Sequence, residues 1–262
     1  MFLAVDAGNS KITFGLFEKT CIQETRSFIY SKKINYIDLK NIIETKLSGF
    51  EINECMIASV VDELTESLRK SISEIFNISP IILSAEIDHG IEIKTAHPEK
   101  CGADRIANAY AVSKLYSKRP IIVVDSGSAT TFDIVDKENN FLCGPIMPGL
   151  DMQLKSLGEK TSKLPALDLQ KADDIINIIS DNTEEAIYAG VIIAHSQAVQ
   201  GLLNLCEQKL GEKAFLVGTG GNINLVCKYL NNRIIDKINP SLTLEGIRMI
   251  YDLNTSKNNQ KF

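Results

Sequence analysis

The sequence lacks the residue spacings that build metal clusters and disulfide frameworks. Its six cysteines (Cys21, Cys55, Cys101, Cys143, Cys206 and Cys227) are scattered, with no Cys-x-x-Cys pair, and its three histidines stand far apart. That pattern argues against a zinc site and leaves reduced, mostly buried thiols. Basic clusters are missing as well: 28 Lys and Arg against 33 Asp and Glu give a net charge of -5. This speaks against nucleic acid or an anionic membrane as the main partner. A nucleotide is not excluded, because turns and helix N-termini hold phosphates without many cations. No apolar run reads as long enough to span a bilayer. The opening residues lack the basic segment and apolar core of a signal peptide, so the expected location is cytoplasmic.

What is present is an α/β alternation in 262 residues, enough for one large domain or two modest ones. Strand-like runs lie near residues 2–5, 12–18, 22–30, 55–60 and 81–83. Helical spacing covers 36–47, 62–76 and 105–116. The pattern then restarts, with strands near 121–125, 130–136, 141–146 and 214–217. A long helix is expected from Glu184 to Leu210, its stripe formed by Ile187, Val191, Ala194, Ala198, Leu202 and Leu205. A closing helix is expected over Ser241–Leu253, followed by a frayed polar tail. With no low-complexity linker, two subdomains, 1–117 and 118–262, are expected to pack around a hinge.

The chain says nearly the same thing twice. Asp6-Ala7-Gly8-Asn9-Ser10 follows the apolar run Phe2–Val5 and precedes the β-prone stretch Ile12–Phe17. Asp125-Ser126-Gly127-Ser128-Ala129-Thr130 follows Ile121–Val124 and precedes Thr131–Val135. Each copy reads as strand, Asp-x-Gly turn, strand. Gly8 lets a backbone approach a phosphate closely, Asn9, Ser10 and Lys11 add donors, and Asp6 can reach a metal directly or through water. One copy alone would be an ordinary hairpin turn. Two copies with matching flanks point to a cleft for a phosphate chain and its metal. Gly218-Thr219-Gly220-Gly221-Asn222 adds a third Gly-rich turn after a strand. At Gly102-Ala103-Asp104-Arg105, Asp104 is the candidate general base for a substrate hydroxyl, and Arg105 can pair with a substrate carboxylate. Read blandly, the segment is an Asp N-cap with a neighbouring Arg, and Thr183 is a second N-cap.

These segments, with Gly144-Pro145-x-x-Pro148-Gly149 and Leu164-Pro165, occur in the order found in type III pantothenate kinases, which the chain resembles from residue 6 to about 222. That family belongs to the acetate kinase, sugar kinase, Hsp70 and actin superfamily. The resemblance implies two ribonuclease-H-like (actin-like ATPase) subdomains with an active-site cleft between them, usually in a homodimer. It implies ATP-dependent phosphorylation of the terminal hydroxyl of pantothenate, the first step towards coenzyme A, with Mg²⁺ and a monovalent cation (K⁺ or NH₄⁺). Carried over by motif, Asp6, Ala7, Gly8, Asn9, Ser10, Lys11, Ile12 and Thr13 would bind ATP, with Asp6 near Mg²⁺ and Ser128 also touching ATP. Asp104 would be the proton acceptor. Gly102, Ala103, Asp104, Arg105 and Thr183 would bind pantothenate, and Asp125 would hold the monovalent cation. Three positions depart from the pattern: Ser128 stands where Thr is usual, Thr95 where many members have Tyr, and Asn222 where Asp is more usual. Two rival readings are another small-molecule kinase of the superfamily and a non-catalytic nucleotide-binding accessory factor.

Overall fold

The continuous apolar run Phe2–Val5 puts apolar side chains on both faces of a strand, which suits a central strand, and the first strand is one. The computed structural model describes residues 1–31, 33–84, 87–172, 176–231 and 233–258, with side chains as far as 256. In chain order the elements begin β1 (Phe2–Ala7), β2 (Lys11–Glu18), β3 (Cys21–Ile29), α1 (Tyr36–Lys46), β4 (Glu54–Ser59), α2 (Asp62–Phe76), β5 (Ile81–Ile82), β6 (Glu92–Ile93) and α3 (Ala103–Leu115). They continue β7 (Ile121–Ser126), β8 (Ala129–Val135), β9 (Asn140–Pro148), α4 (Leu150–Lys160), α5 (Thr183–Tyr188), a π turn (Ala189–Ile193) and α6 (Ala194–Leu210). β10 (Phe215–Thr219), α7 (Ile223–Lys228), β11 (Lys237–Ile238) and α8 (Leu242–Asn258) complete the chain.

Two compact units result, Met1–Ser117 with Ser241–Phe262, and Lys118–Pro240. In the first, five strands run in the order β3-β2-β1-β4-β5. β1 is antiparallel to β2 and parallel to β4. One sheet face sends Leu3, Val5, Phe14 and Leu16 against Leu39 and Ile43 of α1 and Leu64, Leu68 and Ile72 of α2. Each such fully buried side chain contributes roughly 1.5–3 kcal/mol. α2 ends where expected because Asn77 takes the left-handed conformation, φ 54°.

The other face carries α3 and α8, which corrects the expected boundary: residues from Ser241 on belong with the first unit, not the second. The reason is close packing between small residues. A Cβ on Gly246 of α8 would lie 2.1 Å from the carbonyl oxygen of Ala107 on α3, so the two helix backbones touch. Leu244 packs on Gly15 of β2, Tyr251 lies 4.7 Å from Phe2 between ring centroids, and Thr243 donates to Asn108 Oδ1 at 2.8 Å. α8 also runs five residues past the expected end at Leu253, held by Asn254, whose amide donates to the carbonyl oxygen of Asp88 at 2.9 Å. The expected frayed tail beyond residue 258 lies outside the described residues.

In the second unit β11, β10, β7, β8 and β9 lie side by side in that order. β7 is antiparallel to β8 and parallel to β10. This is the first unit's arrangement repeated, β9-β8-β7-β10-β11 for β3-β2-β1-β4-β5. Ile122, Val124, Phe132 and Ile134 of the sheet pack with Leu150 and Leu154 of α4 and with Ile192, Val199 and Leu203 of the long helix. Buried Glu207 of α6 accepts from the Ala214 N–H at 3.0 Å, from Lys213 at 2.9 Å and from Arg233, fastening the helix end to the start of β10.

Three sequence expectations change here. α4 was missed, although Leu150, Leu154 and Leu157 have helical spacing. The long helix has a different inner face from the expected one. Its buried residues after Val191 are Ile192, His195, Ser196, Val199, Leu203, Cys206 and Glu207, whereas Ala194 and Ala198 are exposed and Leu205 is 60% exposed. Each expected position from Ala194 on is displaced by one, because the π turn inserts one extra residue and rotates everything after it. The run Thr183–Leu210 is also long and apolar enough by length and composition to cross a bilayer, contrary to the expectation that no such run exists; half of its most apolar window is buried, as in a core helix.

Gly246→Ala should lower the unfolding free energy by about 2 kcal/mol, overpacking of roughly 3 outweighing the roughly 1 kcal/mol gained in helix propensity. Gly201→Ala, in α6 with open space around its Cβ, should instead raise stability by about 0.5–1 kcal/mol. Denaturant midpoints of the two variants check the pair of opposite signs.

Candidate active site

In the first unit Asp6 ends β1 half-buried, directly opposite Thr13 of β2 and Ala58 of β4. The chain then turns tightly: the Gly8 N–H donates to the Lys11 carbonyl oxygen at 3.0 Å. Tyr30 at the far side of the hairpin pins this turn, its hydroxyl donating to the Gly8 carbonyl oxygen at 2.8 Å. A Cβ on Gly8 would meet nothing nearer than 3.5 Å, so packing within the unit does not require glycine there. Asn9, Ser10 and Lys11 are exposed. Ala7 and Ile12 are fully buried in the core, which leaves only their backbones for a ligand.

The Gly102–Arg105 segment adjoins the same strand ends. The Val60 N–H, just after β4, donates to the Ala7 carbonyl oxygen at 3.1 Å. Val60 Cγ1 in turn lies 3.4 Å from where a Gly102 Cβ would stand. Gly102, not Asp104, is the residue that precedes α3, so the N-cap reading of Asp104 fails. Asp104 sits one position inside the helix, and its Oδ1 accepts from the Arg105 N–H at 2.8 Å. The carboxylate folds back over Gly102, 2.5 Å from where a Cβ would be, so a side chain there would displace it. Burial pushes the Asp104 carboxyl above the ordinary aspartate range, against the opposing pull of the Arg105 N–H and guanidinium. Ala103 and Arg105 are both buried, 7% exposed.

The second unit repeats the first turn with one residue fewer. Asp125 at the end of β7 is opposite Thr131 of β8 and Thr219 of β10. The Gly127 N–H donates to the Ala129 carbonyl oxygen at 3.0 Å, leaving Ser128 alone at the tip. Two further glycines press against this turn. A Cβ on Gly149 would be 2.3 Å from the Gly127 carbonyl oxygen, and its N–H donates to the Ser128 carbonyl oxygen at 3.1 Å. Gly220, at φ 87°, leaves room for Asp125, whose Oδ1 is 2.5 Å from where a Cβ would stand. The Asn222 N–H donates to the Ser126 carbonyl oxygen at 3.0 Å, and its side chain reaches Asp151 at 3.4 Å. The third Gly-rich turn therefore joins the second, and α7 opens after it.

Thr183 also belongs to the second unit. It is the exposed first residue of α5, and the cap is Asn182, whose Oδ1 accepts from the Glu184 and Glu185 N–H groups at 2.8 and 3.4 Å. The N-cap reading of Thr183 is thus displaced by one residue. Sequence reasoning passed over Tyr30, Asn182, Gln153 and His195. Asn182 had a readable signal, an Asn before Thr-Glu-Glu. Tyr30 had none, because its partner is a backbone carbonyl across the hairpin.

Among the described residues no group of three or more His, Cys, Asp or Glu could enclose a metal. A lone carboxylate beside a glycine turn, as at Asp6 and Asp125, has the chemistry to share a cation with a ligand's oxygens and not to enclose one by itself.

Comparison with known proteins places these features. A family profile for type III pantothenate kinase matches residues 2–205. A type III pantothenate kinase of Agathobacter rectalis is 34% identical over 259 residues, covering 96% of each chain. That of Moorella thermoacetica is 33% identical over 264 residues, covering 97% of this chain and all of its own. Among solved structures, a Baf family transcriptional activator from Campylobacter jejuni superposes with a TM-score of 0.61 at 20% identity, over 97% of this chain and 99% of its own. A ROK family glucokinase from Streptomyces griseus gives 0.54 at 12% identity, over 97% and 99%. The structural likenesses carry the fold alone, the α/β fold of the actin-like ATPases and sugar kinases that the family resemblance implied. The profile and the two sequence relatives, spanning nearly the whole chain, decide the family: this chain belongs to the type III pantothenate kinases.

Proposed function

We propose that the protein transfers the γ-phosphoryl group of ATP to the terminal hydroxyl of pantothenate, the first step of coenzyme A synthesis. The observation that carries this reading is the Asp104 carboxylate, folded over Gly102 at the start of α3 and joined through Val60 to the strand ends that hold Asp6 and the Gly8 turn. A base and a phosphate-accepting turn are thereby fixed on one rigid unit.

Asp104 orients the hydroxyl and takes its proton as the phosphoryl group arrives. Its raised pKa suits a proton acceptor, since ordinary aspartate is too weak a base near neutral pH. The guanidinium of Arg105, at the same helix start, pairs with the pantothenate carboxylate, and Gly102, Ala103 and Thr183 complete the contacts. The backbone of Asp6–Thr13, with the Asn9, Ser10 and Lys11 side chains, receives the ATP phosphates, and Ser128 adds a hydroxyl. Asp6 would hold Mg²⁺, and Asp125 would hold K⁺ or NH₄⁺. These cations neutralise charge on the transferring group when bound. On this reading the protein works as a homodimer in the cytoplasm.

ADP release is expected only when ATP, Mg²⁺ and pantothenate are all present, and it should fall when Na⁺ replaces K⁺ and recover with NH₄⁺. A coupled assay decides this, and ATP turnover indifferent to pantothenate would overturn the assignment.

Asp104→Asn should cut kcat by about 10²–10⁴ with little change in KM. The base works only when ionised, so kcat/KM should fall as pH drops through its raised pKa, an acid limb above the ~3.9 of ordinary aspartate. Rate profiles against pH for both forms test this, because the limb should vanish in the variant.

Gly8→Ala should fold with a stability change of no more than about 1 kcal/mol, since its Cβ meets only ordinary contact. Its KM for ATP should nevertheless rise about tenfold or more, because the methyl group stands where the phosphates approach. An unchanged KM would remove the first turn from the ATP site.

A further inference from the structure

Beneath the second turn, on the helix-facing side of the sheet, lies a buried polar group that the proposed chemistry does not use. His195 of α6 is 2% exposed, yet it sits where the stripe of the long helix called for an apolar residue. The π turn at Ala189–Ile193 puts it there in place of Ala194. One imidazole nitrogen, Nε2, is 3.1 Å from Thr130 Oγ1 on β8. The other, Nδ1, is 2.7 Å from Gln153 Nε2 on the first turn of α4. Gln153 Nε2 is also 2.8 Å from the Pro148 carbonyl oxygen.

These contacts fix the proton. A carbonyl oxygen can only accept, so the Gln153 atom facing Pro148 is the amide nitrogen, and that nitrogen donates to His195 Nδ1 as well. Nδ1 therefore carries no hydrogen, and Nε2–H donates to Thr130. Protonating Nδ1 would set two donors face to face, and burial independently holds His195 below its ordinary pKa, so the ring stays neutral.

What the ring joins matters more than the ring itself. Thr130 is the direct cross-strand partner of Ser126, the residue after Asp125. Ser126 is fully buried, and its hydroxyl has no hydrogen-bond partner among the described residues. Of the two hydroxyls at the base of the turn, Thr130's is thus the one tied to the helix layer. Pro148 and Gln153 flank Gly149, whose backbone presses on Gly127 and bonds to Ser128.

We propose that His195 is a positioning residue for the ATP-binding turn of the second unit: through Thr130 on one side and Gln153 on the other, it locks β8 to the start of α4 and so holds Ser128 and Gly149 in register. This rests on the reading of Ser128 as an ATP contact. It differs from a packing role in one respect: the cost of removing it falls on ATP.

The test compares wild type with His195→Leu, Thr130→Val and the double variant, measuring KM for each substrate and binding of a non-hydrolysable ATP analogue by titration. Each single variant should weaken ATP about tenfold, the worth of one or two hydrogen bonds, and leave KM for pantothenate within about threefold. The double variant should be little worse than either single one, because both cut the same link. His195→Gln, whose amide can still donate to Thr130, should recover most of the loss. The ¹⁵N shifts of the wild-type ring should report the neutral Nε2–H form. Unchanged ATP affinity with a lowered Tm, additive effects of the two substitutions, or an Nδ1–H or charged ring at neutral pH would each overturn the proposal. If His195→Leu does not fold, Thr130→Val, which removes one hydroxyl at nearly constant volume, carries the same comparison. A wild type that binds the ATP analogue but does not turn over pantothenate would count against the kinase reading alone.

Discussion

The constraint on which the rest depends is the double pairing of the first strand in each unit. β1 is antiparallel to β2 on one side and parallel to β4 on the other, and β7 repeats this with β8 and β10. In each sheet the chain leaves the central strand to one side through the hairpin and returns to its other side through the parallel strand, and the carboxyl ends of strands at such a reversal of order are the usual place for a ligand in an α/β sheet. Asp6 and Asp125 stand at those ends. The central strand of each unit is buried, and in the first unit helices cover both faces, so Asp6 and the turn beyond it are carried on a rigid base. A flexible loop would have to pay ordering entropy for the same geometry.

Glycines divide cleanly into those the fold needs and those it does not. Gly149, Gly220 and Gly246 each sit where a Cβ would overlap neighbouring backbone at 2.1–2.6 Å. They let the second turn be braced from two sides and let α8 lie on α3. Gly8, Gly127 and Gly221 meet no such obstacle. Their lack of a side chain does nothing for packing, which is the pattern expected where backbone must face a phosphate. Asp104 shows the same economy from the other direction: the space a Gly102 side chain would fill is taken by the carboxylate itself.

The two turns are similar but not identical. The first has Asn9 and Ser10 at its tip and exposes polar side chains. The second, one residue shorter, offers Ser128 and is locked from below by Thr130, His195 and Gln153. The polar floor exists because the π turn rotates α6 by one residue, putting His195 on the inner face in place of Ala194. A buried imidazole is tolerated there because both nitrogens have partners, which offsets the cost of removing them from water.

The sequence by itself determined the strands, the repeated Asp-x-Gly turns and the segments that mark the family, because each rests on residues adjacent in the chain: an apolar run, a turn residue, a helix start. The order of the strands in each sheet was decided by the tertiary structure. Tertiary structure alone decided that α8 covers the first unit. Amphipathic spacing says that a helix needs a partner, and only the fit of Gly246 on Ala107 says which one. It alone decided which face of the long helix points inward, for the π turn shifts a periodicity that reads as continuous from residue to residue. It also decided that Gly149 and Gly220 close on one turn from positions 24 and 95 residues beyond Asp125 (149 − 125 and 220 − 125). Contacts at such separations depend on the path of the backbone, which no local pattern of residues encodes.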